Sequence, residues 1–153
     1  MKTTLVHAAL FLGSLAAMEG VAYLTHRFLM HGPLWFLHAS HHRPRTGRFE
    51  WNDLFGILFA LPSIVLIWFG THGYPALLWV GLGMTAYGVA YFGFHDVIVH
   101  RRVPLRLHPQ GRYLRRIIQA HLIHHRTHSR EGAVSFGFLY APDPQLIKGR
   151  SAD

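Results

Sequence analysis

The chain has no cysteine, which rules out disulfides, thiolate zinc sites and cysteine-bound iron–sulfur clusters. Charge is also scarce. Only 14% of the 153 residues are Asp, Glu, Lys or Arg, against roughly 25% in an ordinary soluble domain. With 50% hydrophobic residues, that deficit predicts a surface that largely faces lipid. The N-terminus lacks the marks of a cleaved secretory signal. One Lys precedes a long apolar run with no clear small-residue cleavage site, and Glu19 and the histidines after it would be odd parts of a discarded peptide. The length suits a single domain spanning residues 1–153.

Three apolar stretches stand out, at about 4–25, 54–70 and 75–94. Each is near the ~20 residues that cross a ~30 Å hydrocarbon core. The second is short and contains Pro62. The expected fold is all-α and integral to the membrane: a bundle of about three to four spanning helices, with interfacial helices on one side. GTHGYP (70–75) reads as a tight turn that pairs the second and third stretches as a hairpin. The net charge of +8 is placed for a membrane and not for nucleic acid. Of 15 Lys and Arg residues, Lys2 alone lies on the outer side; the others flank the inner ends of the spans. That asymmetry puts the N-terminus outside and the remaining face in the cytoplasm. Residues 112–126 read as an amphipathic interfacial helix, with Tyr113, Ile117 and Ala120 opposite Arg112, Arg115 and Arg116. Pro142 and Pro144 end regular structure, leaving a flexible tail at about 143–153.

Histidine is the compositional outlier, at 14 residues. Ten fall into four clusters: His26 and His31; His38, His41 and His42; His95 and His100; His121, His124 and His125. The pattern HX4H then HX2HH is stated twice, each time after an apolar stretch. On an α-helix, positions i, i+3 and i+4 fall within an arc of roughly 100°, so HX2HH aims three imidazoles at one region. The members of HX4H diverge by roughly 140° on an ideal helix. Pro33 and Pro104 follow the two pairs, which predicts helix ends that fray and let the second histidine swing back. Ten imidazoles supply five ligands for each of two metals, more than the four of a structural zinc site. An all-nitrogen shell suits iron, copper, nickel or zinc, so residue types leave the metal open. A metal transporter would need polar groups along a path through the bilayer, yet the spans carry only His7 and Glu19.

These motifs and the words around them, MEGVAYLTHRFLMHG (18–32), SHHRPRTGRFEWNDLFG (40–56), HDVIVHRR (95–102), QAHLIHH (119–125) and VSFGFLYAP (134–142), resemble the bacterial β-carotene 3-hydroxylases of the fatty acid hydroxylase superfamily. The resemblance implies a non-haem di-iron monooxygenase. It would use O2 and electrons from reduced ferredoxin or a similar donor to hydroxylate carbon 3 of β-ionone rings, giving β-cryptoxanthin and then zeaxanthin. It implies two iron ions held by the ten boxed histidines. Membrane desaturases, sterol oxidases and fatty acid hydroxylases share related boxes, so the alternative enzyme is another membrane di-iron lipid oxygenase, a fatty acid or sterol hydroxylase or a carotenoid ketolase. An apolar cleft between helices would admit the bilayer-dissolved substrate.

The remaining candidates carry competing readings. Glu19, the only carboxylate inside a span, is expected to orient a histidine from another helix. Asp96 either holds the second N–H of a ligand histidine or pairs with an Arg. Asn52 and Asp53 read first as helix caps, with histidine orientation as the alternative. His7, His72 and His108 are spectators, and His128 is the one plausible extra ligand. Phe136, Phe138 and Tyr140 alternate as in a strand or an interfacial anchor. The cluster Arg112, Arg115 and Arg116 suits anionic headgroups or an acidic electron donor.

Overall fold

The structure is a computed structural model that describes residues 2–45, 47–105, 107 and 109–149. His108 lies outside the described residues. All regular elements among them are helical: α1 (Lys2–Leu24), π1 (Thr25–Met30), α2 (Trp35–His38), α3 (Asp53–Thr71), α4 (Pro75–Tyr91), π2 (Phe92–Val99), α5 (Arg112–His124) and α6 (Pro144–Ile147).

Three continuous helical rods are long and apolar enough to cross a membrane: Lys2–Met30, Asp53–Thr71 and Pro75–Val99. The first and third outrun their sequence estimates of 4–25 and 75–94 because each continues into a π-helical turn instead of fraying. Pro62 is carried inside α3, which runs unbroken around it. Large apolar side chains such as Leu12, Leu58, Ile64 and Val89 are exposed. In water that surface would drive aggregation, but in a bilayer it is the ordinary outer face.

The hairpin between α3 and α4 has the local chemistry its sequence promised. Gly73 adopts φ +108°, Tyr74 N–H returns to the Phe69 carbonyl at 3.2 Å, and Pro75 opens α4. Helix α4 is the middle rod, packed on α3 on one side and on α1 on the other. Small residues make that approach possible. A Cβ at Gly81 would lie 2.8 Å from Ile67, and one at Gly83 would collide with Ser14 and the Phe11 carbonyl.

Beyond the rods, Ile117, Ala120 and Ile123 of α5 bury against Ala141 and Ile147. Tyr113, expected on that face, is instead exposed, and its hydroxyl donates to the Leu139 carbonyl. Residues from 143 on, expected as a flexible tail, hold a short helix as far as Ile147. Asp143 accepts the Gln145 N–H at 2.8 Å, Pro144 opens α6, and Ile147 is buried. The 134–140 segment forms no strand; Phe138 packs into a cluster with Met18 and Tyr87, and Tyr140 is exposed.

Candidate metal centre

The two HX4H pairs are set by π turns. His31 N–H bonds the His26 carbonyl at 3.0 Å, and His100 N–H bonds the His95 carbonyl at 2.9 Å. Each is an i→i+5 bond, which widens the helix by one residue per turn. Five residues then come close to a full turn, so both histidines of a pair share a face. The expected fraying is therefore replaced by a defined main-chain bond.

The ten boxed histidines gather into two groups of five. His26, His31, His38, His42 and His124 form the first, and His41, His95, His100, His121 and His125 the second. In each, one ring nitrogen per residue lies within 4.8 Å of all the others. Contrary to the spacing argument, the HX2HH triples do not aim at one region. Their i and i+4 members stay with the HX4H pair of their own half, while the middle members, His41 and His124, cross to the other half's group. His42 and His125 stack across the divide with ring centres 4.5 Å apart.

The ring orientations suit both groups to holding a cation. Seven of the ten present Nδ1 to an oxygen. His26, His31, His42 and His124 face the carbonyls of Phe136, Arg130, Thr127 and Val134 at 2.7–3.0 Å. His38 faces Asn52 Oδ1 at 2.7 Å and His41 faces Glu50 Oε2 at 3.0 Å. His95 faces Asp96 Oδ2 at 3.4 Å. A proton held on Nδ1 leaves a lone pair on Nε2. Those Nε2 atoms meet one another at 3.1 Å (His26–His38), 3.2 Å (His31–His124) and 3.1 Å (His41–His95). Lone pairs so close repel unless a cation sits between them. Nitrogen ligands roughly 2.1 Å from a metal, set at right angles, stand roughly 3.0 Å apart. His125 Nε2 is buried without a hydrogen-bond partner, as a ligand atom would be.

Burial, reinforced by neighbouring imidazoles, favours the neutral form that metal binding needs. It pushes His42 down to about 4 and His100 down to about 3. His41, His121 and His124 are held well below the usual histidine value for the same reasons.

Around the groups, several expectations are revised. Asn52 makes no capping bond to α3 and orients His38 instead. Asp53 holds Arg102 through both oxygens, at 2.5 and 2.6 Å, and accepts the Glu50 N–H at 3.0 Å. Asp96 lies 3.4 Å from His95 Nδ1 and also accepts from Arg102 at 2.8 Å. Among the described residues, Glu19 hydrogen-bonds no histidine. It accepts from Tyr87 and from three main-chain N–H groups. Glu50 was missed by sequence reasoning, although it is the one acidic residue between the first histidine triple and Asp53. The four orienting carbonyls carry no sequence signal at all. His128 is exposed and outside both groups. His7 stacks on Trp79, and His72 stacks on Trp68 in the hairpin. Arg116 donates to the Ala141 carbonyl, which ties it to the fold.

A cavity of about 960 Å3 runs from the histidines between the rods. His26, His95 and His121 line its inner end, and Met18, Phe59, Met84 and Phe138 line its length.

A helical membrane protein with two five-histidine groups at the end of an apolar cleft defines a class, and comparison with known proteins agrees. The fatty acid hydroxylase family matches residues 11–142, and the chain belongs to that family. It is therefore a membrane hydroxylase, a monooxygenase. The chain is 51% identical over 140 residues to a β-carotene hydroxylase of Pseudescherichia vulneris, covering 92% of this chain and 80% of that one. It is 53% identical over 125 residues to a β-carotene hydroxylase of Pantoea ananas, covering 82% and 71%. Identity to a β-carotene hydroxylase of Paracoccus sp. (strain PC1) is 47% over 132 residues, covering 86% and 82%. No solved structure matches the chain.

Proposed function

We propose that this protein hydroxylates carbon 3 of the β-ionone rings of β-carotene, giving β-cryptoxanthin and then zeaxanthin, at a centre of two irons. The observation that carries the reading is the meeting of both histidine groups with one long apolar cavity. A volume near the top of the roughly 300–1,000 Å3 usual for ligand sites suits one end of a long hydrocarbon.

His26, His31, His38, His42 and His124 would hold one iron, and His41, His95, His100, His121 and His125 the other. When bound, the irons supply reductive activation of O2, which puts one oxygen atom into the C–H bond and releases the other as water. The chain's own residues position and shield. Phe94 and Phe138 meet edge-to-face, with ring centres 5.2 Å apart, on the cavity wall and would guide a flat, conjugated substrate. Phe136 packs edge-on against His26, His31 and His124, limiting water at the first group. The oxygen partners of Nδ1 keep each Nε2 aimed inward.

Electrons would come from reduced ferredoxin or a similar protein. Arg112 and Arg115, exposed on α5, suit either an acidic donor or anionic headgroups. The charge asymmetry supports an inner-membrane location with the N-terminus outside and the metal centre facing the cytoplasm.

Expression in a β-carotene-producing bacterium tests the reading. Zeaxanthin is the expected pigment; ring ketones, or β-carotene left unchanged, would overturn it. Metal analysis of the purified chain should find about two metal ions per chain, as two groups of five nitrogens suit, and the family resemblance makes iron the expected metal.

A further inference from the structure

Glu19 lies inside the first spanning rod, yet its carboxylate is the most heavily bonded side chain of the membrane region. Oε1 accepts the main-chain N–H of Phe138 at 2.9 Å, Leu139 at 2.8 Å and Tyr140 at 3.1 Å. Oε2 accepts the Tyr87 hydroxyl at 2.8 Å. Three consecutive amides outside any helix need an acceptor where water is scarce, and this carboxylate supplies it. The turn is shaped around it. A Cβ on Gly137 would collide with the Tyr140 carbonyl and lie 3.2 Å from Glu19 Oε1.

The segment fastened in this way belongs to the first histidine group. Phe136 and Val134, just before the clamped amides, offer the carbonyls that face Nδ1 of His26 and His124. Arg130 and Thr127, earlier in the same loop, face His31 and His42. Four of the five members are thus oriented by one irregular segment. The second group draws Glu50 and Asp96 instead.

We propose that Glu19 is a positioning residue for the first histidine group: it clamps residues 138–140 to the first span and so holds the carbonyls that orient His26 and His124. The proposal rests on the two-metal reading above and gives it a site-selective consequence.

Hydrogen exchange and metal content of the detergent-purified chain test it. In the parent chain, the amides of Phe138, Leu139 and Tyr140 should be protected. Glu19→Leu should speed their exchange by roughly tenfold or more, whereas Glu19→Gln, which keeps an oxygen acceptor, should stay within roughly threefold of the parent. Metal in Glu19→Leu should fall from about two ions per chain toward about one, since losing an orienting partner weakens binding by roughly 10–100-fold. The ion that remains should be lost on adding His121→Ala and kept on adding His38→Ala. Rapid exchange of the three amides in the parent overturns the clamp, even if Glu19→Leu cannot be purified. Parental protection and metal in Glu19→Leu, or a Gln variant that behaves like Leu, also overturn it. Equal loss from both groups overturns the selectivity. A parent with protected amides but no metal leaves the clamp standing as a purely structural contact and overturns the two-metal reading, and with it the positioning role.

Discussion

His26, His31, His42 and His124 turn their outer nitrogens to main-chain carbonyls of residues 127–136, whereas His41 and His95 turn theirs to the carboxylates of Glu50 and Asp96. The two groups match in histidine number and differ in what stands behind the rings. A carboxylate makes its imidazole a stronger donor than a neutral carbonyl does. The second group is therefore tuned by side chains near its ligands in sequence, while the first depends on an irregular loop being seated correctly. A repeated motif has produced two sites of unequal electronic character and unequal structural dependence.

Breaking both groups together should have the largest effect. Stripping metal with a chelator should abolish hydroxylation and lower the melting temperature, because converging lone pairs lose the cation between them; activity and thermal unfolding before and after iron is restored check this. The crossing histidines come next. His124→Ala should cost the first group its ion and His41→Ala the second, each cutting turnover by roughly 100-fold or more in line with losing a direct ligand rather than a supporting partner, as read by pigment yield and metal per chain.

The orienting partners sharpen the contrast. Asn52→Ala should weaken metal binding at the first group by roughly 10–100-fold, and Glu50→Gln should weaken the second by less, since an acceptor remains beside His41. Asn52→Asp should make His38 resemble His41, and a spectroscopic comparison of metal bound at the two groups should show them becoming more alike. Arg102→Lys loses the two-pronged bond to Asp53 and should destabilise the chain by about 1–3 kcal/mol, measured by thermal unfolding in detergent. The smallest effect is expected from Arg112→Glu with Arg115→Glu, which should slow donor-supported turnover while leaving membrane insertion intact. Unchanged turnover would assign that face to headgroups.

Much of this was legible in the chain itself. Hydropathy marked the three spans, because crossing lipid demands a minimum apolar length. The histidine spacing marked ten residues and two halves, which the fold gathers into two groups of five, because imidazole is scarce and its repetition is improbable without a shared task. Reading stopped at Asn52 and Glu19. Asn52 stands where caps stand, and only the approach of His38 makes it an orienting partner. Glu19's place inside a span suggests a histidine partner, yet it reaches the main chain of residues about 120 positions away.

What the sequence determined alone was therefore periodic or compositional: membrane helices, a turn built on Gly73 and Pro75, and a ten-histidine centre. What only the tertiary structure decided was the allotment of those histidines. The π turns pair His26 with His31 and His95 with His100, and His41 and His124 cross between halves. These outcomes depend on main-chain hydrogen bonds and on contacts between distant segments, and neither leaves a signal in residue spacing.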